Sequence, residues 1–102
     1  LELKKKLDSG QDIFLLDVRE GWEFALAAIE GSENFPMGQV VDRQQEFIFE
    51  EEIVVICHYG ARSQLAAQEL AECGFNVYNL AGGIDAWSQV VDPCVPRYKA
   101  NG

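Results

Sequence analysis

Residues 53–56 read Ile-Val-Val-Ile, four β-branched side chains in a row. The run lacks the polar alternation of a strand with one face in water. It predicts a strand buried on both faces, as in a parallel sheet covered by helices. It leads directly into Cys57, His58, Tyr59, Gly60, Ala61, Arg62 and Ser63, and then into apolar residues at helical spacing. A strand that passes through a short loop into a helix N-terminus makes an anion site, because loop N–H groups and the helix dipole converge on one spot. A cysteine at that spot is favoured as the thiolate, which is the reactive form. The stretch therefore predicts a nucleophilic Cys57.

The rest of the chain supplies the elements around this strand. Ile13, Phe14, Leu15 and Leu16 are a second buried-strand run that ends at Asp17, Val18, Arg19 and Glu20. Charged groups at the carboxyl end of such a strand lie on the edge where ligands bind. Here they read as hydrogen-bonding and ion-pairing groups that order a loop, with Asp17 structural rather than catalytic. Residues 1–7 predict a helix with Leu3 and Leu7 on one face, ended by Ser9 and Gly10. Residues 21–28 predict a short helix with Trp22, Leu26 and Ala25 inward.

Ile29 and Phe35 flank a turn at Gly31 and Ser32, and residues 35–38 read as a very short strand closing into a turn. Residues 39–52, with Val40, Val41, Phe47, Ile48 and Phe49 among acids and glutamines, are expected to be helical in part. Glu50, Glu51 and Glu52 read as a solvated loop before the central strand. After the loop, Ser63 is a candidate helix cap. Ala66, Leu70 and Cys73 share one helical face, and Gly74 stands where a left-handed C-terminal residue is wanted. Residues 75–80 alternate as a strand. Gly82 and Gly83 turn the chain into Ile84, Asp85, Ala86 and Trp87, and two prolines make residues 92–98 an extended tail. Trp22 and Trp87 read as core. Strand and helix in alternation give an α/β fold around a parallel sheet.

At 102 residues and 48% hydrophobic content, the chain is long enough for one packed core and reads as one domain, 1–102. No apolar run approaches the ~18 residues of a membrane helix, and no signal peptide is visible. The chain begins at Leu1 rather than Met, so a trimmed N-terminus is expected and an upstream targeting segment stays open. A net charge of −9 argues against nucleic acid and against an anionic membrane. It does not exclude a small anion, because a local cluster of N–H donors acts at short range. Three cysteines with no paired spacing, and a single His, point to neither a disulfide framework nor a zinc site. A reducing, cytoplasmic setting is the expected compartment.

Three blocks carry a family resemblance. The first is Leu15-Leu16-Asp17-Val18-Arg19-Glu20 with Trp22-Glu23-Phe24. The second is Cys57-x-x-Gly60-x-Arg62-Ser63, and the third runs from Asn79-Leu80-Ala81-Gly82-Gly83 to Trp87. In this order they resemble the rhodanese family, and the tail Asp92-Pro93-x-Val95-Pro96-Arg97-Tyr98 is similar to that of its single-domain members. Two positions depart from many relatives, Ala28 where they carry His and Glu30 where they carry Pro. Relatives also place a short strand upstream of the first helix.

The resemblance implies a three-layer fold, a central parallel sheet flanked by helices on both faces. It also implies a sulfurtransferase that carries sulfane sulfur as a persulfide on Cys57. Counting both ends, Cys57 to Arg62 makes a loop of six residues. Related rhodanese-fold phosphatases place one more residue there, and a smaller ring of N–H donors suits a single sulfur atom. The implied reaction moves sulfur from thiosulfate, or a related small anionic donor, to cyanide or a thiol, with no cofactor and no metal. The alternative is a protein-interacting relay module whose acceptor is a protein thiol.

His58, Tyr59, Gly60, Ala61, Arg62 and Ser63 are the candidate substrate-binding residues. Gly60 lets the loop bend. Arg62 either binds the donor's anionic end or pins the loop through carbonyl and carboxylate contacts. Ser63 reads as a cap. His58 either favours the thiolate as His⁺ or points to solvent, and Tyr59 lines the rim or meets a partner. Cys73 reads as a core residue. Cys94 reads as an exposed thiol without a role, so Cys94→Ala is expected to leave sulfur transfer unchanged. A large loss of turnover with Cys57 still loading sulfur would instead make Cys94 a relay.

Overall fold

The computed structural model describes residues 2–10, 12–40, 42–47 and 51–99. Expectations that fall on Leu1, Val41, Ile48, Phe49 and Glu50 lie outside the described residues. Four parallel strands form the sheet: β1 (Ile13–Asp17), β2 (Glu33–Asn34), β3 (Glu52–Ile56) and β4 (Val77–Asn79), in the order β2-β1-β3-β4. The two apolar runs are the two central strands, with Leu15 opposite Val54 and Leu16 opposite Val55. Helices α1 (Glu2–Asp8), α2 (Gly21–Leu26), α3 (Ala61–Glu72) and α4 (Gly83–Val90) surround the sheet.

Strand side chains alternate between faces, and the core divides accordingly. Leu16, Ile53, Val55 and Cys57 pack with Ala66, Ala67 and Leu70 of α3 and with Phe35, Val40 and Phe47. Leu15, Val54 and Ile56 pack on the opposite face with Leu3 of α1, Ile84 and Trp87 of α4, and Val95 of the tail. This is the three-layer α/β arrangement implied by the blocks. The alternation runs on beyond β3: Cys57 lies on the α3 side, so the next residue, His58, turns toward the α4 side.

Several local expectations change. In α2 the buried residue is Glu23, whereas Trp22 and Leu26 are 59% and 49% exposed and Ala25 is also exposed. The helix is turned by the partners that Glu23 finds inside, not by its apolar residues. The short strand lies at Glu33–Asn34, ahead of Phe35. Pro36 has no N–H to give a ladder, and a single 3-10 turn follows at Met37–Gln39. Between Met37 and Phe47 the described residues form 3-10 turns rather than an α-helix. Phe47 there closes an aromatic cluster, with ring centroids 5.4 Å from Phe14, 5.0 Å from Phe35 and 6.0 Å from Phe75. Glu52 belongs to β3 and takes a 3.0 Å bond from Lys6. The strand expected over residues 75–80 is confined to Val77–Asn79.

Cys73 is exposed because α3 ends at Glu72 and the chain then leaves the helical path through Gly74 at φ +94°. Asp17 and Arg19 do pair as expected, both fully buried. Among the described residues no helix is long and apolar enough to cross a membrane.

The start of α4 lies directly against the end of β3. Ile84 N–H donates to the Cys57 carbonyl at 2.8 Å and Asp85 N–H to the His58 carbonyl at 3.0 Å. Approach this close needs Gly83, which has φ +61°; a Cβ there would stand 2.4 Å from both carbonyl oxygens. Gly83→Ala is expected to cost ~2 kcal/mol or more, from left-handed strain plus that overlap. Urea unfolding of the variant against the wild type measures it.

Candidate active site

Cys57 is fully buried at the carboxyl end of β3. Its Sγ receives the Gly60 N–H at 3.0 Å and stands 3.2 Å from Ser63 Oγ. Gly60 has φ +102°, which lets the backbone reverse and aim that N–H back at the sulfur. Space is short on its other side, where a Cβ would meet Gly82 N at 3.2 Å. The twelve-residue helix α3 begins at Ala61, so its positive end faces the sulfur.

The carbonyls of Cys57 and His58 are held by α4, and no peptide bond among the described residues is cis. In a trans peptide the C=O and the following N–H point opposite ways. Anchoring these two carbonyls therefore turns the N–H groups of His58 and Tyr59 away from α4.

Ser63 is not the cap of α3. That position belongs to Gly60, and Ser63 lies in the first turn with its side chain inside. Its hydroxyl faces Cys57 Sγ, the Gly60 carbonyl at 3.2 Å and the Asn79 side-chain oxygen. A hydroxyl carries one proton, so Ser63 can turn it to the sulfur when the sulfur is ionised. Asn79 also donates from Nδ2 to the Gly60 carbonyl at 3.2 Å, which ties β4 to the loop.

Arg62 reaches across to Glu23, with Nη1 and Nη2 at 2.7 and 2.8 Å from the two carboxylate oxygens. Of the two roles left open, this is the carboxylate contact. Arg62 Nε is buried and has no partner among the described residues. Glu23 is 1% exposed. Besides Arg62 it takes the Glu20 N–H at 3.1 Å and the Tyr98 hydroxyl at 2.9 Å. Burial alone would raise its pKa. The bonds from Arg62, Tyr98 and Glu20 outweigh it and hold the carboxyl at about 2.

The tail, read only as extended, is part of this cluster. Tyr98 accepts a 2.7 Å bond from Arg19 Nη1 while donating to Glu23. Burial and the bond to Glu23 push its phenol up to about 12 against the pull of Arg19, so it holds its proton at neutral pH. Arg19 in turn binds Asp17 and the carbonyl of Ala27. Upstream, Val95 is buried in the core and Arg97 pairs with Asp85 at 3.0 Å.

His58 points neither to solvent nor at the sulfur. It is fully buried, with its ring 4.0 Å from Tyr59 and 4.1 Å from Tyr98 by centroids. Burial lowers its pKa against the pull of Asp85 and Glu23, so the ring is neutral at pH 7. Neither ring nitrogen has a hydrogen-bond partner among the described residues. Tyr59 is 47% exposed over it, and Ala61 is exposed at the start of α3.

The structure thus brings Cys57, Gly60 and Ser63 together, directs Arg62 to Glu23, and sends His58 to the other face. Sequence reasoning quoted Glu23, Asn79 and Tyr98 within the family blocks and tail but gave none of them a role at the site. Glu23 stands three residues after Glu20, a helix-start spacing that could have marked it. Tyr98 stands in the tail that carries part of the resemblance, but nothing local to it names Glu23 or Arg19 as partners.

The depressed Glu23 pKa has a stability consequence. Its folded value of about 2 lies below the ordinary 4.5, so the contribution is complete above pH ~5 and is lost as pH falls toward 2. Because Arg62 keeps some contact with water, a discounted ~2 kcal/mol is expected. Urea unfolding of wild type and Glu23→Gln from pH 7 to 2.5 should show the wild-type advantage disappearing across that window.

Comparison with known proteins agrees with this geometry. The chain matches the rhodanese-like domain family over residues 1–90. It is 40% identical over 86 residues to the putative sulfur carrier protein YrkF of Bacillus subtilis, covering 83% of this chain and 46% of that protein. The chain thus spans about half the length of that relative. It is 32% identical over 88 residues to the thiosulfate sulfurtransferase GlpE of Pseudoalteromonas translucida, covering 85% of this chain and 84% of that one. A rhodanese-like domain protein from Staphylococcus aureus superposes with a TM-score of 0.82 at 28% identity, covering 96% of this chain and 93% of its own. With its sheet order, its cysteine loop and these relatives in agreement, the chain belongs to the rhodanese-like sulfurtransferase family.

Proposed function

We propose that residues 1–102 act as one rhodanese-like unit that transfers sulfane sulfur through a Cys57 persulfide, with thiosulfate as a competent donor. The observation that carries this reading is the position of Cys57 Sγ, 3.0 Å from the Gly60 N–H at the start of a twelve-residue helix. The Cys57 thiolate attacks the outer sulfur of thiosulfate. The S–S bond of the donor breaks, and its electron pair leaves with sulfite. The persulfide left on Cys57 is terminated by one anionic sulfur, which a six-residue loop of N–H donors and the helix dipole stabilise. Cyanide or a thiolate then takes that outer sulfur and returns Cys57 as thiolate, a two-step covalent exchange.

Ser63 donates a hydrogen bond to Cys57 Sγ when that sulfur is the thiolate. Arg62 holds the end of the loop through Glu23 and keeps Nε–H among the donors left for a sulfonate oxygen. A relay reading, with a protein thiol as acceptor, is favoured by one observation: Tyr59 and Trp22 are 47% and 59% exposed near the loop and the tail. The relative named as a sulfur carrier points the same way. The two readings share the persulfide and differ in the acceptor.

Intact-protein mass spectrometry after incubation with thiosulfate tests the shared step. The wild type is expected to gain one sulfur atom that cyanide removes, and Cys57→Ser to gain none. Absence of any gain on folded, reduced wild type would remove thiosulfate as a donor. Ser63→Ala is expected to slow loading by about tenfold, the effect of one hydrogen bond to a charged sulfur.

A further inference from the structure

Tyr98 lies 36 residues beyond Arg62 in sequence, yet its hydroxyl fills the gap between two buried charges. It accepts from Arg19 at 2.7 Å and donates to Glu23 Oε2 at 2.9 Å, the same oxygen that receives Arg62 Nη2 at 2.8 Å. Oε1 takes Arg62 Nη1 and the Glu20 N–H. Each oxygen of the carboxylate thus has two donors, and its orientation is fully specified. Arg19 is equally committed, to Asp17, to the Glu23 and Ala27 carbonyls and to Tyr98. Tyr98 is the side chain that joins this Arg19–Asp17 pair to the Glu23–Arg62 pair. Its own position is set from the tail, where Val95 is in the core, Ser88 bonds the Val95 carbonyl and Arg97 pairs with Asp85. Its ring packs against His58 and, at 6.0 Å between centroids, against Trp22.

We propose that Tyr98 is a positioning residue for the cysteine loop: its hydroxyl fixes the Glu23 carboxylate in the orientation that clamps Arg62, and through Arg62 it holds the loop around Cys57. The proposal rests on the reading of Cys57 as the sulfur carrier. The C-terminal tail is thereby a working part of the site. Tyr98 touches no reacting atom and acts through Glu23 and Arg62. The groups that face Glu23 are Arg62 from α3, the Glu20 N–H at the start of its own helix, and Tyr98 from the tail, which is in turn held by Arg19; the neutral His58 ring, packed on Tyr98, lies within its field.

The test is Tyr98→Phe, which keeps the ring against His58 and Trp22 and removes one oxygen. Sulfur transfer from thiosulfate to cyanide is measured at neutral pH, and the Glu23 carboxyl is titrated by carbon NMR from pH 7 toward 2 without any donor. The variant is expected to lose about tenfold in kcat/KM at neutral pH. Its Glu23 midpoint should rise by about one unit from about 2, because the charged carboxylate has lost a donor. In a Glu23→Gln background the same substitution should change kcat/KM by less than about twofold, since the partner it acts through is gone. A pure packing role predicts a wild-type Glu23 midpoint in folded Tyr98→Phe, and that result would overturn the proposal. Equal losses in both backgrounds would overturn it as well. The midpoint needs no sulfur donor, so failure of Cys57 to load sulfur would defeat the proposed function while leaving this inference to be decided by the titration.

Discussion

A carboxylate buried away from water is among the most expensive groups a fold can hold, and Glu23 is one. It is tolerated because Arg62, Tyr98 and the Glu20 N–H surround it. These come from the cysteine loop, the C-terminal tail and the start of α2, segments that have little else in common in the sequence. Each is therefore placed by a requirement that Glu23 be fully bonded. Removing one partner from such a buried pair leaves an uncompensated charge, typically a loss of about 3–5 kcal/mol. The orientation of α2 follows from the same requirement: it buries Glu23 and leaves Trp22 and Leu26 facing outward.

The loop itself is governed from two sides. From the front, α3 directs its positive end and the Gly60 N–H at Cys57 Sγ. From behind, α4 takes the carbonyls of Cys57 and His58 on its first N–H groups. Those carbonyls would otherwise compete for donors or repel an anionic sulfur. Their removal to the rear leaves the forward side of the loop rich in donors. Gly83 is the residue that permits this, because any side chain there would collide with both carbonyls. Gly83, far down the chain, thus shapes the cysteine loop as much as it starts a helix.

Much of this was legible in the sequence, and the limits have physical causes. The buried strands, Leu3 and Leu7 on one face of α1, the left-handed Gly74 and the Asp17–Arg19 pairing follow from periodicity and local chemistry. Cys57 at a helix N-terminus follows from the order strand, loop, helix. His58 was misplaced because it was judged as a neighbour of Cys57 in a loop. Strand alternation continues far enough to put successive side chains on opposite faces, which could have been applied at residue 58. Trp22 and Leu26 were assigned inward because helical burial was read from apolar side chains alone. A charged residue with three prospective partners outranks them, and those partners become visible only when residues 23, 62 and 98 meet. Tyr98 was unreadable for the same reason. Its contacts are 75 and 79 residues away in the chain, and no local pattern encodes them.

Net charge and local field give opposite instructions to an anionic donor, and the architecture separates them by distance. The chain carries −9 overall, which disfavours the approach of thiosulfate from far off. Screening confines that repulsion to about 8 Å at physiological salt. Inside that range the relevant groups are fixed: the end of α3, the Gly60 N–H and the Arg62 side chain. Arg62 would be the obvious attractant, yet its charge is answered by Glu23. His58, the other nearby basic group, is kept neutral by burial. An anion at the loop would thus meet backbone dipoles and the Arg62 N–H groups that Glu23 does not take, rather than a free positive charge. Such a site attracts weakly at long range and discriminates at contact. A site of that kind suits an acceptor delivered by a docking surface better than one gathered by electrostatic steering.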